Sequence, residues 1–326
     1  MRIGVIGAGA IGSLLAGRLA AAGNSVGVLA RGAQLDALRS EGLLIIGEDG
    51  SEERVESLDA SDDIASLVGA DVLVLALKAH QISAMANKIA ELYSPNTVVV
   101  PVQNGIPWWF FQGLGGPYDG CRLQTLDPDG RISRFIPADR IIGAIAYPAS
   151  ERPRPGVVRV IEGDRFPVGE LDGERTDRVS AVAAMLADAD FSSRVLTDIR
   201  SHLWVKAWGN LAFNPISALT RAGLATICRD PGTRALAAEM MAEAAAIAEV
   251  IGVKTRISID KRIDGAMAVG DHKTSMLQDL EAGRELELGP LVGVFIELGE
   301  LTGVPTPAIR AVHACASLLD KMTQQT

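Results

Sequence analysis

Lys206, Asn210 and Asn214, within the run KAWGNLAFNP at 206–215, set one ammonium and two carboxamides at intervals of four. Each step of four along a helix turns about 400°, so the three share one face within an arc of about 80°. Trp208, Leu211, Ala212 and Phe213 take the other directions. An ammonium suits a carbonyl under reduction: it stabilises the charge growing on oxygen and then supplies the proton. Neutral carboxamides beside it can orient a polar substrate. A satisfied polar network inside a helical core has the same composition, so the stripe alone does not separate the two.

A second group of residues concerns a nucleotide. Gly7-Ala8-Gly9-Ala10-Ile11-Gly12 is a GxGxxG run directly after the strand-like Ile3–Ile6 and at the start of a helical pattern. In that setting the glycines give a tight turn, close approach of backbone to a pyrophosphate, and close helix–strand packing. The helix start then offers unpaired N–H groups and its positive dipole end to the phosphates. The second strand ends Val28-Leu29-Ala30-Arg31, with no acid until Asp36. A cation without a competing carboxylate there fits a 2′-phosphate, so NADP(H) is the expected cofactor. Lys78 and Asn104 follow the apolar runs Val72–Leu77 and Thr97–Val102, at the strand ends where open α/β sheets bind ligands. Read singly, they are also a surface lysine and an Asn-Gly turn.

These residues need elements to hold them. Val26–Ala30, Val72–Leu77 and Thr97–Val102 read as continuous apolar strands between helices, the mark of a parallel sheet covered on both faces. Ile141–Ala146, Gly156–Ile161, Arg165–Gly169 and Phe191–Leu196 read as further strands. Beyond about residue 197 the period becomes helical, clearest over Ser201–Leu219, Gly232–Ile251, Ser275–Ala282 and Leu291–Thr302. The expected class is α/β: a Rossmann dinucleotide-binding domain over 1–197 and an all-helical domain over 198–326. The 326 residues suit two domains, and 48% hydrophobic residues suffice for two cores. A net charge of −9 argues against nucleic acid or an anionic membrane as the main partner. No apolar run is long enough to span a bilayer. The scattered Cys121, Cys228 and Cys315 indicate neither disulfides nor zinc, fit burial as small apolar residues, and fit a cytoplasmic setting. His80, His202, His272 and His313 form no metal or triad spacing, so no metal is expected.

The chain resembles the ketopantoate reductases (2-dehydropantoate 2-reductases). The matching pieces are GAGAIG at 7–12, Arg31, LALKAHQ around Lys78, QNG around Asn104, KAWGNLAFNP, SMLQDL at 275–280 and Glu287. The resemblance implies NADPH-dependent reduction of a branched 2-keto acid, in a cleft between a Rossmann and a helical domain. It implies Lys206 as proton donor and Asn104, Asn210, Asn214 and Ser275 as substrate contacts, with Asn104 also near the nicotinamide. Lys78 and Glu287 would hold the cofactor and order the site. Glu287 lies among Glu281, Glu285 and Glu297, where acids usually form a solvated face; only its place relative to Ser275 singles it out. Ser275 also has a capping-box spacing with Gln278.

Two features depart from the family pattern. Trp108-Trp109-Phe110-Phe111 begins a Gly/Pro/Asp-rich insertion over about 107–134, and Leu288-Gly289-Pro290 stands where an acid often follows the family glutamate. The four aromatics read either as a wall of the substrate site or an interface, or as a hydrophobic anchor for a long loop. The first alternative would favour a bulkier or aromatic 2-keto acid. A non-catalytic NADP(H) sensor is the alternative of another class, opposed by the intact lysine. An Ala-rich helix at 235–248 and the aromatic loop are compatible with a homodimer.

Overall fold

The structure is a computed structural model and describes residues 1–325. It comprises two compact units. The first is Met1–Gln103 with Gln112–Gly115 and Gly130–Ile199; the second is Asn104–Phe111 with Gly116–Asp129 and the chain from Arg200 onward.

The first unit begins β1 (Arg2–Ile6), α1 (Ala10–Ala21), β2 (Ser25–Leu29), α2 (Gly32–Glu41), β3 (Leu43–Ile46), β4 (Glu52–Val55) and β5 (Leu58–Ser61). It continues with β6 (Val72–Leu75), α3 (Ala79–Ala90), β7 (Val98–Pro101), α4 (Arg131–Phe135) and β8 (Gly143–Ala144). β9 (Ala149–Arg154), β10 (Val157–Glu162), β11 (Val168–Gly169) and α5 (Asp177–Asp188) complete it. Five strands in the order β5-β2-β1-β6-β7 pair in parallel throughout. Every residue of β6 and β7 is buried, which is why both read as unbroken apolar runs. The chain leaves β1 toward β2 and later returns on the other side with β6. The carboxyl ends of β1 and β6 therefore form the switch point where such sheets hold nucleotides. A second sheet, β4-β3-β10-β9, packs against α1.

Several strands were not legible. β4 (EERV), β5 (LDAS) and β9 (ASERPR) carry no apolar run, and half-exposed strands of this kind are recognised only by their partners. The run expected at Ile141–Ala146 contracts to β8. Phe191–Leu196 is not a continuous strand: among the described residues it makes the isolated bridges Arg165↔Ser192 and Val168↔Val195. The Ser193 amide turns back onto the Phe191 carbonyl at 2.8 Å, which bends the segment out of a ladder.

The second unit is built on α6 (Ile199–Thr220), followed by α7 (Leu224–Arg229), α8 (Pro231–Ile251), α9 (Ile259–Ala268) and α10 (Ser275–Glu281). A single π turn at Gly289–Gly293 leads into α11 (Val294–Thr302), and α12 (Pro307–Thr323) follows. α8 starts with Asp230 accepting from the Thr233 amide and Pro231 in the first turn, and ends at Gly252 in a left-handed conformation. The Glu243 carboxylate on α8 receives the Ala308 and Ile309 amides at 2.7 and 3.0 Å, closing the open start of α12.

The aromatic segment belongs with this helical unit, whereas the sequence reading placed it in the first domain. Trp108, Trp109, Phe110 and Phe111 are all buried, on irregular turns rather than a regular element. The Phe110 ring lies 5.6 Å from Trp204, and Trp204 lies 5.3 Å from Phe295. The buried Arg200 guanidinium donates to the Phe110 carbonyl at 2.7 Å. The run is thus an anchor in a core, not a wall facing substrate. Of the cysteines only Cys228 is buried; Cys121 is half-buried and Cys315 exposed, against the expectation of burial for all.

Candidate active site

α6 carries the polar stripe. Trp204, Trp208, Leu211 and Ala212 are buried on its other faces, and the Trp208 indole N–H donates to the Met241 carbonyl of α8 at 2.6 Å. This fixes the rotation of the helix, and with it the direction of Lys206, Asn210 and Asn214. Lys206 is half-buried, and its Nζ donates to Asn104 Oδ1 at 2.8 Å. Burial pushes the Lys206 pKa down from 10.5 to about 8, while the Glu287 carboxylate acts in the opposite sense. Asn210 is half-buried and Asn214 buried, yet neither carboxamide has a protein hydrogen-bond partner among the described residues. Buried polar groups are normally paired. Among the described residues the stripe therefore does not form a self-satisfied network, since both carboxamides lack a protein partner.

Asn104 and Glu287 are brought to Lys206 by one backbone joint. Gly105 has φ +86°, and a Cβ there would stand 2.2 Å from the Pro290 carbonyl oxygen. The Ile106 amide donates to that same oxygen at 3.2 Å. In the π turn the Val294 amide reaches back five residues to Gly289. The Leu288-Gly289-Pro290 departure is thus the start of this turn, with Glu287 just before it. Glu287, between the buried Leu286 and Leu288, is half-buried rather than on the solvated face its acidic neighbours suggested. Gly105 and Pro290 were missed as functional residues; the glycine after Asn104 was the signal available.

Ser275 is exposed in the first turn of α10 and makes no hydrogen bond to the stripe among the described residues. The helix is capped by Thr274, whose hydroxyl accepts from the Leu277 amide, so the capping role read for Ser275 shifts by one residue. The insertion is tied down by Glu297, which accepts the Gln124 and Thr125 amides at 2.5 and 2.8 Å.

In the first unit the glycine turn fits a dinucleotide. Gly7 has φ +112°, and a Cβ there would meet the Ala76 carbonyl oxygen at 2.7 Å. A Cβ on Gly12 would lie 1.9 Å from the Gly7 oxygen, whereas Gly9 faces open space. No side chain caps α1, so its first amides are left for an anion. Arg31 is exposed at the N-cap of α2. Lys78 is half-buried at the N-cap of α3, its amide bonded to Gln81 Oε1 at 3.1 Å. No grouping of His, Cys, Asp or Glu among the described residues could hold a metal ion. No helix among them is long and apolar enough to cross a membrane.

Residues 3–173 match the family described as "Ketopantoate reductase PanE/ApbA", and residues 198–320 match "Ketopantoate reductase PanE/ApbA C terminal". A 2-dehydropantoate 2-reductase of Mesorhizobium japonicum is 50% identical over 96% of both chains. A crystal structure assigned as a ketopantoate reductase of Ralstonia solanacearum has 38% identity and TM-score 0.93, covering 98% of each chain. D-mandelate dehydrogenase, solved with NADH and anilino(oxo)acetate, shares the fold at TM-score 0.83 and 20% identity over 99% of both chains.

Proposed function

The chain belongs to the ketopantoate reductase family, and on that premise we propose that it reduces 2-dehydropantoate to pantoate with NADPH. The observation that carries the reading is the Lys206 ammonium held by Asn104 beside two carboxamides without protein partners among the described residues. NADPH, when bound on the glycine turn, supplies the hydride for the keto carbon.

Lys206 is the proton donor. With a pKa of about 8 it stays about nine-tenths protonated at pH 7, yet it is acidic enough to give the proton up to an alkoxide. Asn104 fixes the direction of the ammonium, so the charge growing on the keto oxygen meets a donor already in place. Asn210, Asn214 and the Ser275 hydroxyl take the substrate's carboxylate and hydroxyl. Being neutral, they add no cation to compete with Lys206 for the keto oxygen. Glu287 keeps the ammonium charged by its field. Arg31 receives the 2′-phosphate, and Lys78 and Asn104 help hold the nicotinamide end.

The same fold serves a D-mandelate dehydrogenase, so fold does not choose the keto acid. The aromatic run gives no ground for a bulkier aromatic substrate, because its rings lie in the core of the helical unit. The test is NADPH oxidation against a panel of 2-keto acids, read as kcat/KM. 2-Dehydropantoate is expected to rank first, and Lys206→Ala to lose about a hundredfold or more in kcat while still binding NADPH. A preparation that binds NADPH but turns over no keto acid would remove the reading.

A further inference from the structure

Arg152 belongs to none of the sequence motifs. It lies on β9, is exposed, and donates from a terminal guanidinium nitrogen to the Ala8 carbonyl at 2.8 Å. Ala8 is the middle residue of Gly7-Ala8-Gly9, so a strand far along the chain sets a full positive charge on the nucleotide turn. The placement is built rather than incidental. The Ala8 carbonyl also accepts from the Ser13 hydroxyl at 3.2 Å. Ser13 in turn accepts from Gln34 Nε2 at 3.3 Å, and Gln34 Oε1 accepts from the Gly156 amide at 3.0 Å. Ser13 and Gln34 are buried. Gly156 sits at the turn between β9 and β10, so the hairpin is pinned to the glycine turn at both Arg152 and Gly156. Gln34 lies in the first turn of α2, whose N-cap is Arg31. The network thus ties Arg152 and the helix that begins at Arg31 to the same glycine turn.

A guanidinium has five N–H donors, and a neutral carbonyl takes only one of them here. Neither Arg152 nor Arg31 is paired with a carboxylate among the described residues; the neighbouring Glu151 bonds to Arg159 at 2.8 Å instead. Arg152 on the turn and Arg31 just past β2, the strand paired with β1, are both without a carboxylate, and at the turn Gly9 leaves open space and the start of α1 has no side-chain cap. We propose that Arg152 is a second cationic ligand for the phosphates of the dinucleotide, acting beside Arg31. This deepens the cofactor assignment of the glycine turn and rests on it. A bidentate guanidinium–phosphate contact is charge-assisted and geometrically specific, and lysine does not reproduce it.

The test is equilibrium binding of NADPH and NADH to wild type, Arg152→Gln and Arg152→Lys, with the melting temperature of the nucleotide-free proteins measured in parallel. Wild-type binding tests the cofactor assignment itself. Arg152→Gln is expected to weaken NADPH about tenfold or more, Arg152→Lys to recover only part of the loss, and the nucleotide-free melting temperature to stay unchanged. A loss confined to NADPH assigns the 2′-phosphate as the partner, and an equal loss for both assigns the pyrophosphate; each upholds the proposal. Unchanged affinity for both nucleotides overturns it. If the variant also melts lower, ionic strength decides. A lost phosphate contact leaves the variant's NADPH affinity less salt-sensitive than wild type's, and identical salt sensitivity overturns the proposal.

Discussion

Removing the Glu287 carboxylate changes the proton affinity of Lys206 in one direction. Burial holds the lysine down near 8, and Glu287 is the charge that raises it. The reaction as proposed needs the protonated form, so kcat/KM is expected to fall as pH rises through about 8. In Glu287→Gln the fall should begin at lower pH, because the opposing charge is gone. An alkaline limb that stays in place would show that Lys206 is not the group titrating. At this scale the sequence was partly legible. Lys206, Asn210 and Asn214 declared a shared face by spacing alone, because helical periodicity converts spacing into direction. Glu287 did not, since its half-burial, between the buried Leu286 and Leu288, departs from the acidic run around it. Arg152 was invisible because its partner lies on the first turn of the chain.

Between residue and molecule stand the short elements that aim the side chains. The π turn at Gly289–Gly293 and the left-handed Gly105 form a joint in which two backbones touch, and Asn104 hangs from it. A side chain at Gly105 would meet both obstacles: about 1–2 kcal/mol for the left-handed backbone, and a direct overlap with the Pro290 oxygen. Gly105→Ala should therefore displace Asn104 and lower kcat by about tenfold or more, with NADPH affinity changed much less. An alanine variant with normal kcat would show that the joint does not aim the amide. Elements with a sustained apolar face or run were legible here, and those without one were not. α6 and α8 show their apolar faces over several turns, and β6, β7 and β1 after Arg2 are unbroken buried runs because both sides are covered. β4, β5 and β9 have no such signature; they exist because a neighbouring strand supplies hydrogen bonds, which is information outside the segment.

At the scale of the whole molecule the class of fold was legible and the path of the chain was not. Composition shifts near 197, and the run from Arg200 is helical, but residues 104–111 and 116–129 join that helical unit from the middle of the sequence. Their aromatic side chains could be read as anchor or wall; the burial of all four, with Phe110 against Trp204, distinguishes the two. The arrangement matters during synthesis. Trp108–Phe111 leaves the ribosome long before α6 and α11 exist, so a newly made chain carries four aromatics with nothing yet to cover them. Such a segment is a natural target for a chaperone and a route to aggregation when synthesis outruns folding. The helical unit is accordingly not expected to form from the C-terminal piece alone. Residues 198–326 expressed by themselves should stay loosely packed, without fixed near-ultraviolet signals from Trp204 and Trp208, until residues 104–129 are supplied as a separate peptide. A tightly folded fragment without that peptide would show that the early segment is only a late addition to a core that forms on its own.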